Sequence, residues 1–120
     1  MTPYSALVQP VSDSEVAEFE RRRSLRMSCD VEALTRLLDT HDTMCWGAVV
    51  NDISTGGLRL SVCYPFKPGS YLAVDLQGPG GTSRVVLARI IYVRDQLDGA
   101  WQIGCEFVRP LNSSEVETIV

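Results

Sequence analysis

Arg21-Arg22-Arg23-Ser24-Leu25-Arg26 places four guanidinium groups within six residues of an otherwise acidic chain. Asp52-Ile53-Ser54-Thr55-Gly56-Gly57, which begins 26 positions after Arg26, crowds a carboxylate, hydroxyls and two adjacent glycines together. Guanidinium groups present planar forks of donors that match phosphate oxygens, and they stack on flat rings. A carboxylate such as Asp52 accepts two hydrogen bonds side by side, and the N1–H and N2–H2 groups of a guanine edge supply that pair of donors. Ser54 adds a small donor and acceptor. Gly57 removes a side chain where a base would lie against the backbone. Each stretch also has a plain structural reading. The second, taken alone, is a turn between two strands. The arginines follow Asp13, Glu15, Glu18 and Glu20, and on charge patterning alone they make a solvated face paired with those acids. Together the two stretches suit a ligand that is both a phosphate diester and a guanine.

The elements that must position these groups are mostly strands. Residues 1–11 contain Pro3 and Pro10 without periodicity and read as a loose arm. Ser12 to Arg23 reads as a short helix, with Ser12 and Glu15 at capping-box spacing and Glu18 four residues before Arg22. From Leu25 the pattern turns to period two: Leu25, Met27, Cys29 and Val31 alternate with Arg26, Ser28, Asp30 and Glu32, as in a half-buried strand. Ala33 to Asp39 fits either a helical turn or more strand, and His41-Asp42 marks a turn. Met44–Ile53, Leu58–Val62, Tyr71–Gln77, Val85–Val93 and Trp101–Val108 follow as strands, with Gly78-Pro79-Gly80-Gly81 as a hairpin loop. On the last strand Trp101, Ile103, Cys105 and Phe107 share one face. Trp46 and Trp101 read as core residues. Tyr92 reads first as half-buried packing and second as a stacking platform. Ser113 or Ser114 would cap a final helix near Glu115 that is short or absent. Short strands with a turn about every ten residues predict an all-β, six-stranded antiparallel barrel, whose closure removes exposed edges.

Bulk composition narrows the function. A chain of 120 residues, 45% hydrophobic and 22% charged, suits one globular domain. The formal charge is −4 and the pI about 4.9, against DNA or RNA binding through a broad positive field. Any anion must be caught locally. No apolar run is long enough to insert in a membrane, and residues 1–14 lack the pattern of a secretory signal. Cys29, Cys45, Cys63 and Cys105 form no C-x-x-C pair, and His41 is the single histidine, so a zinc site is not expected. Buried thiols in a reducing cytoplasm are the expectation. No nucleophile–base pair, metal cluster or phosphate-cradling loop points to an enzyme.

Arg22-x-x-x-Arg26 followed by Asp52-x-Ser54-x-x-Gly57 resembles the paired R-x-x-x-R and D/N-x-S-x-x-G motifs of PilZ domains, bacterial receptors for cyclic di-GMP. The resemblance covers about Glu20 to Pro110. Gly57-Leu58-Arg59-Leu60 and Ile103-Gly104-Cys105-Glu106-Phe107 fit it as well. It implies a flexible arm or short helix over 1–19, a barrel over 20–111 and a short C-terminal helix or tail over 112–120. It also implies that Arg21, Arg22 and Arg26 contact phosphates and the outer edges of guanine, while Asp52, Ser54 and Gly57 hold a guanine edge. Arg21 is similar to the extra arginine of members that bind a stacked nucleotide dimer. No cofactor is implied beyond this ligand. The expected behaviour is closure of the arginine-bearing segment over the nucleotide, with output through an unidentified protein effector. The rival expectation is a ligand-independent adaptor. The leucine-rich span 33–43 departs from the pattern and implies an unusual connection between the first two strands.

Overall fold

The computed structural model describes residues 27–38 and 44–119. Six strands close into an antiparallel barrel in the order β1-β2-β3-β6-β5-β4, with β4 returning to β1. They are β1 (Met27–Leu37), β2 (Trp46–Ile53), β3 (Gly57–Val62), β4 (Tyr71–Gln77), β5 (Ser83–Asp95) and β6 (Trp101–Phe107). One helix, α1 (Ser113–Ile119), follows.

Alternation builds the core. Val50, Leu58, Leu60, Leu72, Val74, Ile90, Ile103 and Cys105 point inward and are wholly buried. Trp46 and Trp101 are partly buried against them. β1 settles the ambiguous 33–37 stretch as strand, in register with both β2 and β4. Thr35 takes an inward slot there, and its hydroxyl donates to the Trp46 carbonyl at 2.9 Å. That bond offsets the cost of burying a polar atom. The expected unusual connection falls on 39–43, outside the described residues, as do the predicted arm over 1–11 and helix over 12–23.

Each end of the barrel is plugged. Where β2 starts, Trp46, Tyr64 and Phe66 cluster in tilted and edge-to-face contacts with ring centroids 4.6–5.1 Å apart. At the other end α1 inserts Val116 into the core. The cap is Asn112 rather than either serine. Its Oδ1 accepts from the Glu115 amide at 2.9 Å, and Glu115 Oε1 accepts from the Asn112 amide at 3.1 Å, a reciprocal capping box. Arg84 of β5 pairs with the Glu115 carboxylate and ties the helix to the wall. The expectation of buried thiols needs correction: Cys105 is buried and Cys29 half-buried, but Cys45 and Cys63 are exposed. Both lie just outside the ends of strands, where period-two burial no longer applies. Among the described residues no helix is long and apolar enough to cross a membrane.

Candidate nucleotide-binding ledge

The second motif forms the β2–β3 turn. The Ser54 amide donates to the Gly57 carbonyl at 2.9 Å, closing a two-residue loop of Thr55 and Gly56. The Ser54 hydroxyl is drawn into the same turn. It accepts from the Gly56 amide at 3.3 Å and lies 3.4 Å from the Gly57 carbonyl oxygen. Ser54 is 6% exposed. The turn is also stitched to the C-terminal part of the chain, because the Phe107 amide donates to Gly56 O and the Leu111 amide to Thr55 O, both at 2.8 Å.

The two glycines do different jobs. A Cβ on Gly57 would be driven into the Cys105 carbonyl of β6, so glycine at 57 is required by the close approach of β3 to β6. A Cβ on Gly56 would meet nothing within 4 Å. Open space over the turn therefore lies at Gly56.

Asp52 is the penultimate residue of β2 before this loop, opposite Ser28 of β1 and Arg59 of β3. Pairing with β3 shifts between Val50 and Asp52, and this bulge re-aims the side chains there. Asn51 accepts a 2.9 Å hydrogen bond from the Ser61 hydroxyl, while Arg59 Nε lies 3.6 Å from Asp52 Oδ2. The row continues across the outer wall. Arg59 is opposite Gly104 of β6, and Gly104 is opposite Tyr92 of β5. The Tyr92 ring occupies the space that a side chain at 104 would take, which leaves Tyr92 5% exposed. The Arg94 guanidinium stands 4.6 Å above the ring centroid, within cation–π range. Asp52, Arg59, Tyr92 and Arg94 thus form one polar and aromatic ledge outside the barrel.

Cys29, on β1 near Asp52, donates to the Val50 carbonyl at 3.6 Å. Its thiol is pushed above the ordinary value, first by burial and then by the negative charges of Asp52 and Asp30, with a backbone hydrogen bond at Val31 opposing them. Among the described residues no cluster of metal-ligating side chains occurs.

Of the sequence-predicted ligand residues, Asp52, Ser54 and Gly57 are together in this turn and its flanks. Arg21, Arg22 and Arg26 lie outside the described residues. Arg59 had no role assigned from sequence, yet it was within reach. A two-residue loop of Thr55 and Gly56 pairs Ile53 with Leu58 and so sets Asp52 against Arg59.

A family model described as PilZ domain matches residues 20–120. Among curated proteins none matches the chain. Solved structures share its fold. The PilZ domain of YcgR from Escherichia coli, determined with cyclic di-GMP, superposes with a TM-score of 0.62 at 17% identity, covering 82% of this chain and 86% of that one. The PilZ domain of CeSA from a cellulose-synthesizing bacterium gives 0.56 at 17% identity, covering 80% and 91%. The Bacillus subtilis inhibitor of motility MotI/DgrA gives 0.60 at 14% identity, covering 82% of this chain, which spans about half of that protein (47%).

Proposed function

The chain belongs to the PilZ domain family, and from that premise we propose that it is a cyclic di-GMP receptor whose arginine-bearing segment closes over the nucleotide. The observation that carries this reading is a register. Met27 pairs with Ile53 and Ser28 with Asp52. The R-x-x-x-R motif therefore ends one peptide bond before the strand that runs alongside the carboxylate turn. Asp52 accepts the N1–H and N2–H2 donors of one guanine, with the Ser54–Gly57 turn holding the carboxylate's strand in place. Arg21, Arg22 and Arg26 take the phosphates and outer guanine edges. The Tyr92 ring, buried over Gly104 with Arg94 on its face, backs the ledge rather than stacking on the base.

The protein acts as a receptor and not as an enzyme. Its output passes to a protein effector in motility, biofilm or polysaccharide control, within the cytoplasm. A broad exposed apolar face, with Leu34, Val85, Leu87 and Val108, supports a protein partner. The same face favours the second reading, an adaptor that needs no nucleotide.

Calorimetric titration with cyclic di-GMP decides between them and counts ligands per chain. Wild-type protein and an Arg36→Ala control are expected to bind alike, whereas Arg26→Ala loses binding. Equal binding by Arg26→Ala would refute the site. No heat from the wild type would favour the adaptor.

A further inference from the structure

We propose that the outer face of β1, β4 and β5 is a self-complementary surface that seats a second copy of this chain, its strands antiparallel to the first about a twofold axis lying across them. The inference goes beyond the receptor reading and does not depend on it. Cross-strand register sets the face out in rows. Leu34, Asp75 and Val85 make one row, and Arg36, Ala73 and Leu87 make the next. Glu32 stands two residues before Leu34 on β1, and Arg89 two residues beyond Leu87 on β5. The acids therefore occupy one end of the face and the arginines the other. Leu34, Val85 and Leu87 stand exposed between them.

Charge order selects the occupant. A surface with opposite signs at its two ends complements itself when turned end over end, and a twofold makes each such contact twice. An axis along β4 would lay Asp75 on Asp75, which like-charge repulsion forbids. An axis across the strands lays the first row on the second. Val85 then meets Leu87 of the second copy, and Leu34 lies on the aliphatic stem of its Arg36. Asp75 meets its Ala73, a methyl group that leaves room for the neighbouring Arg36 guanidinium. Both members of that ion pair have capacity to spare. Asp75 Oδ1 is buried and makes no hydrogen bond among the described residues, a cost that an incoming donor offsets. Arg36 forms no ion pair among the described residues. Arg89 has Glu106 across from it on β6, so Arg36 carries most of the complementarity. Three strands and four rows span roughly 15 by 25 Å. That is below the ~800 Å² per partner of a standard interface, so the dimer is weak and depends on concentration.

Sedimentation velocity of nucleotide-free protein tests this, with a thiol reductant present so that the exposed Cys45 and Cys63 stay reduced. The wild type should run as a monomer at about 10 μM and shift towards a dimer by about 1 mM, with half association at roughly 100 μM. A wild type that stays monomeric throughout overturns the proposal and leaves the face to a different protein. Arg36→Glu and Asp75→Lys each set like charges together on both sides of the axis, so each alone should weaken dimerisation about tenfold or more. Mixed in equal amounts, the two variants should form a heterodimer about as tight as the wild-type dimer, because one contact is native and the other has its signs exchanged. Lys67→Glu, in the β3–β4 loop away from the face, should dimerise like wild type. Wild-type dimerisation by Arg36→Glu, a mixture that fails to associate, or an equal loss in Lys67→Glu overturns the proposal. Thermal melting identifies any variant that fails to fold. Should Asp75→Lys do so, Glu32→Lys, at an exposed position of the acidic end, takes its place in the mixture.

Discussion

The barrel has two outer faces built on the same inner pattern. On one, across β2, β3 and β5, Asp52 pairs with Arg59, the Ser61 hydroxyl donates to Asn51, and Arg94 lies over the Tyr92 ring. On the other, Leu34, Tyr71, Val85, Leu87 and Val108 stand exposed on and beside β1, β4 and β5. Arg36 and Arg89 lie among them in cross-strand register with Ala73 and Tyr71. Inward residues of all six strands, Thr35 apart, are apolar and buried, so they report only the fold. Outward residues are released from that rule, and the two faces have used the freedom differently. One has become a ledge of fixed polar groups walled by an aromatic ring. The other has kept large apolar side chains in contact with water, interleaved with Arg36 and Arg89. The two faces share β5 but use different parts of it, Val85 and Leu87 near its start and Tyr92 and Arg94 near its end.

The sharpest way to break this contrast is at the turn itself. Gly57→Ala forces a methyl group into the Cys105 carbonyl of the neighbouring strand. Neither backbone can retreat without unpairing β3 from β6, so the change should destabilise by about 3 kcal/mol, the upper end of ordinary overpacking. Gly56→Ala, one residue earlier, enters open space and should stay within about 0.5 kcal/mol. Urea unfolding midpoints of the two variants check both values. If they prove equally stable, the tight β3–β6 approach is wrong, and with it the footing of the ledge.

These two glycines also show what the sequence could and could not say. The strands were legible because Leu72, Val74 and Leu76, like Ile103, Cys105 and Phe107, repeat at a period of two with turn residues between runs. The ledge was legible in part, since Asp52, Ser54 and Gly57 stand out by type and spacing. The reason for Gly57 was not, because the atom it makes room for is in residue 105, and nothing local announces that pairing. Ser54 likewise looked like a ligand group, but its hydroxyl also serves the turn. The far end of β1 was ambiguous because Thr35 puts a polar residue in a buried slot, and only its bond to Trp46 O makes that tolerable. Asn112 was overlooked beside two serines, although Asn112 and Glu115 have capping-box spacing. Arg59 was legible through hairpin arithmetic.

A smaller effect compares thiols on and off the ledge. Burial and the charges of Asp52 and Asp30 raise the Cys29 thiol above its ordinary value. A group whose folded value is raised contributes stability that is complete below the unfolded value and fades as the pH climbs through the folded one. The Cys29 thiol is protonated in both states at neutral pH, so its ionisation costs stability only as the pH climbs into alkali. Its thiolate is scarce near pH 8, so iodoacetamide should modify the exposed Cys45 and Cys63 first and Cys29 several-fold more slowly, with the buried Cys105 last. Peptide mapping over a time course gives the order. An Asp52→Asn variant should bring Cys29 modestly forward, because one of the charges that suppress its thiolate is gone. No acceleration would mean that the carboxylate's field does not reach β1.

The smallest effect belongs to the apolar face, and its smallness is the point. Val85 and Leu87 are 58% and 46% exposed, so each side chain buries only about half of what a core residue does. Full burial of such a side chain contributes about 1.5–3 kcal/mol. Val85→Ser and Leu87→Ser should each shift stability by no more than about 1 kcal/mol, against about 2–5 kcal/mol for Leu60→Ala in the core. Cyclic di-GMP titrations of both serine variants should match wild type, because neither residue shares a strand pair with Asp52 or Arg59. A side chain that costs little to lose, adds nothing to the ledge and stays large and apolar in water is not being kept for the fold. A fall in nucleotide affinity on changing Leu87 would erase the division between the faces, since it would make the apolar wall part of the ligand site rather than a separate surface.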